Sequence, residues 1–296
     1  MTNNRLRVLH VIGGDMNGGA SKGAINLHNA LIDFGISSFV VSNYENSNVH
    51  NLVKRGASKY KAWLYDHIDK LPLYFYFSRK KIIFSPGVMG EDILTTIKKL
   101  KIDVLHLHWI NTGFINISDL TGLSIPIVWT MRDAWPFTGG CHMPMNCSKF
   151  ITQCNNCEQL QSTYYHDLSF FIQNRKKKIV KKLNNITLVG ISPFLQKQAM
   201  QSEIWSSSHI EMIENNVDID KFLPTKKHLS RDQLELDREK IIILIANDSG
   251  ETWKGHHFLY KLASDLDNKK YEIVSFGTGG ACHKGKDFGF IQSMKH

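Results

Sequence analysis

The first 42 residues leave few architectural options. An apolar run from Leu6 to Ile12 ("RLRVLHVIGG") is stopped by glycines, and "SKGAINLHNALIDFG" then places Ile25, Leu27, Leu31 and Phe34 at helical spacing. Gly35 ends that helix and "SSFVVS" supplies a second apolar run. Strand, glycine loop, helix, strand is the β-α-β unit from which parallel sheets are built. The loop "GGDMNGGASKG" (Gly13 to Gly23) falls where such a sheet presents ligands, with Ser21 placed to cap the helix and free amides for an anion. Its spacing is not the dinucleotide fingerprint, and no acidic residue closes the second strand, which disfavours NAD.

The alternation continues. "EDILTTIKKLK" reads as a helix, "DVLHLHW" and "IPIVWTM" as strands, "ITLVGIS" and "IEMIEN" as further strands with the helix "PFLQKQAM" between them. Residues from about Tyr44 to Gly87, rich in aromatics ("LPLYFYF"), lack a clear period and read as a cap over the sheet. A polar, charged stretch from Thr225 marks a boundary near Leu223, after which "IIILIAN", a loop ending in "WKG", the helix "HHFLYKLASDL" and "YEIVSFG" form another β-α-β unit. The expected fold is therefore α/β and doubly wound, with two Rossmann-like domains, 1–222 and 223–296. The C-terminal domain reads as incomplete, since one β-α-β unit cannot bury both faces of its sheet.

A chain of 296 residues with 42% hydrophobic content can bury a core, which excludes general disorder. No stretch has the length of a membrane span and the N-terminus does not read as a signal peptide, so the expected compartment is the cytoplasm. The net charge of +9 is concentrated in "SRKK" (Ser78 to Lys81) and "NRKKKIVKKL" (Asn174 to Leu183). Such runs form either a solvated helix face or an attraction to anionic lipid or phosphate. No nucleic-acid recognition motif accompanies them.

Four of five cysteines, Cys141, Cys147, Cys154 and Cys157, fall in one loop, 139–160, with five, six and two residues between them and His142 beside the first. The terminal C-x-x-C lets two thiolates reach one tetrahedral ion from a single turn. The loop is long and polar, so a structural zinc held by four thiolates, with His142 as a substitute ligand, would supply its missing core. An iron–sulfur cluster, free thiols or a redox pair are the alternatives. Cys282 stands alone.

The motifs "VLHVIGGDMNGGASKGAINLHNALIDFGI", "FSPGVMGEDIL", "DVLHLHWINTGFI", "WTMRDAWPFTGGCH", "ISPFLQKQAM", "NNVDIDKFLP" and "WKGHHFLYKLA" occur in order along nearly the whole chain. Together they resemble the retaining glycosyltransferases of family four, which have the GT-B architecture, and most closely the branch that builds bacterial exopolysaccharide and colanic-acid-type repeats. The resemblance implies transfer of a sugar from a UDP- or GDP-linked donor to a lipid-linked saccharide at the cytoplasmic face of the membrane. The basic helix near Lys176 to Lys182 would then rest on anionic lipid. It also implies that Gly18, Gly19, Lys254 and Gly255 contact the donor diphosphate. Arg132 and Asp133 would lie at the reacting centre, and His108, Trp109 and Trp135 on the acceptor side. That branch often carries "TGGCH" followed by similarly spaced cysteines.

Three departures from the family's pattern stand out. Asp248 replaces a basic residue six positions before Lys254. Arg132 replaces a histidine, and since it stays protonated it would bind charge and not act as a base; a salt bridge to Asp133 is the alternative. No pair of glutamates eight positions apart occurs in the C-terminal domain, where the family places it, so the donor half reads as truncated. The competing expectation is an inactive remnant that binds acceptor or a partner through its first domain. His106 and His108, flanking Leu107, share a face as acceptor ligands or as a buried pair, and His10 reads as core.

Overall fold

The computed structural model describes residues 5–14, 18–43, 48–56, 58–246, 255–277, 285–289 and 291. The chain divides into two compact units, Met1–Asp218 and Ile219–His296. In the first, β1 (Arg7–Ile12), α1 (Gly19–Asp33), β2 (Ser37–Ser42), β3 (Leu52–Val53), α2 (Lys59–Lys70), α3 (Leu94–Leu100), β4 (Val104–Leu107), β5 (Ile127–Met131), α4 (Leu168–Val180), β6 (Ile186–Gly190), α5 (Pro193–Gln201) and β7 (Ile210–Met212) follow in order. The other unit holds α6 (Lys227–Gln233), β8 (Ile241–Ala246), α7 (His256–Asp265), β9 (Tyr271–Phe276) and β10 (Lys286–Asp287).

The seven strands of the first unit are ordered β3-β2-β1-β4-β5-β6-β7, and every pairing is parallel. The chain winds outward from β1 in one direction and from β4 in the other. The carboxyl ends of β1 and β4 therefore flank the point where the winding reverses, the place at which such sheets bind ligands. The second unit has a three-stranded parallel sheet, β10-β9-β8.

Strand alternation sorts the two faces of the main sheet. Leu9, Val11, Leu105, Leu107, Ile127, Trp129, Met131 and Leu188 enter the large core. Ile12, Val40 and Ala24 form a smaller cluster on the side of α1. The caps are local: Ser192 accepts from Leu195 N before α5, which begins with Pro193, and Asp167 accepts from Ser169 N and Phe170 N before α4. The helix of α1 ends as its sequence demands, at Gly35 with φ +79°.

Two expectations change. Residues 44–87 are not a featureless cap: they contain β3, α2 and a 3-10 turn, Leu71–Phe75. Their period is obscured because α2 buries Asp69, whose carboxylate accepts from the amides of Gly87, Val88 and Met89 at 3.2, 2.6 and 3.0 Å. The basic run in α4 is also only in part a charged face. Lys176 is fully buried, Arg175 is spent on Gly87 O, Asn116 and Ser118, and Lys177 pairs with Glu203. Packing against the neighbouring loops converts these three cations to structural donors, while Lys178, Lys181 and Lys182 stay exposed.

Gly87 joins these parts. Its φ is +65°, and a Cβ there would lie 2.3 Å from the Trp135 ring. Gly87→Ala is therefore expected to destabilise the fold by about 3 kcal/mol, from left-handed strain plus overpacking. Urea denaturation measures this; an unchanged midpoint would contradict the assigned backbone.

Candidate functional site

On the α1 side of the sheet, alternation places polar groups where a doubly buried parallel strand is ordinarily apolar. His10 on β1 pairs in register with His106 on β4, and His108, Thr130 and Arg132 continue the same face. All three histidines are buried. The Arg132 guanidinium donates from Nη2 to His108 Nδ1 at 3.1 Å. Because Arg132 always carries its protons, His108 holds its own on Nε2 and donates to His10 Nδ1 at 3.0 Å. His10 Nε2 is then a buried donor without a partner. His106 Nε2 bonds Thr130 Oγ1 at 2.8 Å.

These histidines are the one group among the described residues whose ligand atoms lie within 4.8 Å of one another. They do not aim at a common ion. His106 stacks on His108 with centroids 4.3 Å apart and 27° between planes, and His10 meets His108 edge to edge through the N–H···N bond. In-plane lone pairs of near-parallel rings do not converge. The cluster is a hydrogen-bonded support under Arg132.

Arg132 is the unusual charge of the site. Asn215 Oδ1 accepts from its Nη1, its Nε is buried without a partner, and burial lowers its pKa to about 10. It lies against the first turns of α1, where a Cβ on Gly23 would be 2.7 Å from Nη1. Asp133 does not neutralise it, so the expected neighbour salt bridge is absent. The Asp133 carboxylate instead accepts from Trp135 N (2.8 Å), Trp109 Nε1 (3.0 Å) and His142 Nδ1 (2.7 Å). His142 Nε2 accepts in turn from Ser85 Oγ at 2.8 Å and Asn111 Nδ2 at 3.1 Å. Asp133 is thereby fixed as an acceptor within the fold.

The remaining predicted residues separate. Gly18 is the N-cap of α1 and Gly19 its first residue, with open space where a Cβ on Gly19 would be. Ser21 is not the cap; it lies in the first turn with a buried, unpartnered Oγ. Trp109 is half-buried beside Gly14. Trp135 is core: its Nε1 donates to Ser85 O and the Lys176 ammonium sits 3.4 Å over its ring, so it cannot stack on a sugar. His108 is buried and bonded to His10 and Arg132. In the second unit, Gly255 is the N-cap of α7 with φ +75°. Lys254, Asp248 and Cys282 lie outside the described residues.

The cysteine loop is built without the expected tetrathiolate. None of the four cysteines is in a disulfide. A tetrahedral site with Zn–S bonds of about 2.3 Å needs sulfurs about 3.8 Å apart, and no three of these thiols come within 4.8 Å of one another. His142, expected as a substitute ligand, has both ring nitrogens engaged by Asp133, Ser85 and Asn111. Side chains hold the loop. Gln173 accepts from Cys154 N and Gln153 and donates to Phe150 O, Asp167 accepts from Cys157 N, and Lys149 donates to Asn155 O and Asn156 O. Lys176 donates to Trp135 O and Thr138 O. Sequence reading missed Gln173 and misplaced Lys176, because a glutamine and a lysine on a basic helix carry no mark of burial.

Two outcomes follow from burial. Desolvation, then the neighbouring imidazoles and Arg132, hold His10 and His108 well below their ordinary pKa, and desolvation takes His106 to about 4. Unfolded histidines take a proton near pH 6.5, so stability is complete above about 6.5 and falls as pH drops toward about 4. Each histidine contributes up to about 1.4 kcal/mol per pH unit in that window. Chemical denaturation across pH should show this, and His106→Gln should flatten the profile; an unaltered slope would refute burial as its source. Desolvation also pushes the Cys141 and Cys154 thiols up to about 12. Native labelling with a thiol reagent should spare both until unfolding, at a rate indifferent to chelator. Protection that a chelator removes would restore the metal site.

No family model matches the chain. The putative colanic acid biosynthesis glycosyl transferase WcaC of Escherichia coli (strain K12) is 21% identical over 223 residues, 68% of this chain and 52% of that protein, so the chain spans about half the length of this curated relative. A glycosyltransferase from Rickettsia africae ESF-5 superposes with TM-score 0.57 at 15% identity, covering 98% of this chain and 69% of that one. Anabaena HepE in complex with UDP-glucose gives 0.54 at 12% identity, covering 97% and 70%. A sucrose-phosphate synthase from Thermosynechococcus elongatus gives 0.56 at 14% identity, covering 94% and 63%. At such identities the likeness establishes the fold: this chain has the α/β architecture of GT-B glycosyltransferases.

Proposed function

We propose that this chain is a glycosyltransferase that moves a sugar from a nucleotide-sugar donor, UDP- or GDP-linked, to a lipid-linked saccharide in bacterial surface polysaccharide assembly, with retention at the anomeric carbon. The observation that carries this reading is Arg132: a largely buried guanidinium with no carboxylate partner, beside the amide end of α1, at the switch point of a parallel sheet. Such a cation awaits an anion. A diphosphate fits it, because guanidinium and phosphate oxygens match as bidentate partners and the α1 N-terminus adds free N–H groups at the open Gly18–Gly19 turn. The named relatives support the choice, since one is described as a colanic acid biosynthesis enzyme and another as a UDP-glucose complex.

In this reading Arg132 stabilises negative charge as the sugar leaves its diphosphate. His108 and Asn215 hold the guanidinium in line, and the neutral His10–His108 pair supports it without adding a competing charge. The half-buried indole of Trp109, tied to Asp133, offers an apolar face for a sugar ring beside Gly14. Gly255 and Lys254 would contribute the second unit's phosphate contacts.

The test is turnover with a panel of UDP- and GDP-sugars. Arg132→Met should lower kcat/KM about 100-fold, as loss of one positioned donor to a developing anion does. Arg132→Lys should recover only part of it, because the fork is lost while the charge remains. Wild-type turnover in Arg132→Met, or turnover by no nucleotide sugar, would remove this reading.

A further inference from the structure

Packing takes Arg175, Lys176 and Lys177 out of the basic face of α4, and a second basic surface of the first unit lies elsewhere. Along α2 and the 3-10 turn after it, Tyr60, Trp63, His67, Leu71 and Tyr74 recur at spacings of three and four residues, which puts them on one exposed stripe. Trp63 is 54% exposed, Phe75 78% and Phe77 94%. Such a run of exposed aromatics is unlike the scattered apolar residues of an ordinary surface. The stripe is not loose: Asp69, on the opposite side of α2, is buried and bound to three amides of residues 87–89.

Beside the stripe is an open cavity of about 370 Å³, lined by Lys70, Leu73, Tyr74, Arg79, Lys81, Ile82, Ile83 and Phe84. No carboxylate lines it. Lys70 is paired with Asp66, but the side chains of Arg79 and Lys81 have no carboxylate partner among the described residues. The segment Lys59–Lys81 carries six Lys and Arg against Asp66 and the buried Asp69. Aromatic rings that seek an apolar–water boundary, rimmed by unpaired cations, have the composition of a protein face that lies on an anionic lipid surface.

We propose that the face formed by α2, residues 71–77 and the Arg79–Lys81 cavity seats the first unit on an anionic bilayer. Trp63, Phe75 and Phe77 enter the headgroup boundary, and Arg79 and Lys81 hold a lipid phosphate. The inference deepens the reading of a lipid-linked acceptor, yet it depends only on this surface, so it survives if the transferase reading fails.

The experiment is flotation of the full chain, without nucleotide sugar, on vesicles of phosphatidylcholine alone and of phosphatidylcholine with phosphatidylglycerol. Binding should require phosphatidylglycerol and weaken with salt. Replacing both cations, Arg79→Ser with Lys81→Ser, should lower the partition constant about 30-fold, the effect of removing two basic side chains from an anionic surface. Phe75→Ser with Phe77→Ser should abolish flotation while circular dichroism stays unchanged, both rings being solvent-exposed. Lys178→Ser with Lys181→Ser and Lys182→Ser, on the exposed end of α4 and the residues after it, should leave flotation intact. The proposal is overturned if the α4 change removes binding, or if the 75/77 and 79/81 changes do not. It is equally overturned if the chain ignores vesicles while Arg79 and Lys81 bind inorganic phosphate, or if it self-associates through Phe75 and Phe77.

Discussion

Three adjacent parallel strands, β1, β4 and β5, send Leu9, Leu107 and Trp129 to one face, and His10, His108 and Arg132 to the other. A two-residue period in register across the sheet makes that division unavoidable, and both halves of the first unit depend on it. The apolar face carries the large core. The other face is polar where burial is deepest, and it remains stable because the imidazoles stay neutral, His108 and His10 hydrogen-bonded in line from Arg132 inward and His106 bonded to Thr130. A charged histidine in that stack would confront the guanidinium directly.

Arg132 and Asp133 are neighbours in sequence, yet they serve separate networks. Successive residues at a strand end point to opposite sides, so Asp133 turns to Trp109, Trp135 and His142, while Arg132 turns to His108, Asn215 and the start of α1. That separation leaves a cation without an anion. An ion pair would have consumed the charge; its absence leaves the guanidinium free for the phosphate we propose. The loop after Asp133 is held by the same use of buried polar groups. Lys176 lies under Trp135 and donates to the carbonyls that start the loop.

Much of this was legible in the residues. The β-α-β units, the glycine turn before α1 and the shared face of His106 and His108 all rest on local periodicity, which tertiary contacts did not overrule. Other features were not legible, and for one reason: burial of a polar group leaves no local trace. Lys176 and Arg175 sit in a run that reads as a solvated basic face. Trp135 reads as readily as a sugar platform as it does as core. His10 reads as an ordinary strand residue, although it completes the hydrogen-bonded stack. The cysteine spacing suits a tetrahedral ion, but spacing says nothing of the glutamine, aspartate and lysine that hold the loop from a distant helix.

By itself, then, the sequence determined an α/β chain of parallel β-α-β units with a glycine turn at the first helix, because these follow from the 2.0 and 3.6 residue periods and from where glycine interrupts them. Only the tertiary structure decided which charges remain free. Arg132 kept its charge unpaired and Lys176 lost its own to packing, while Arg79 and Lys81 stayed open beside a stripe of exposed rings. Charge is a property of residues, but its availability is set by what packs around them.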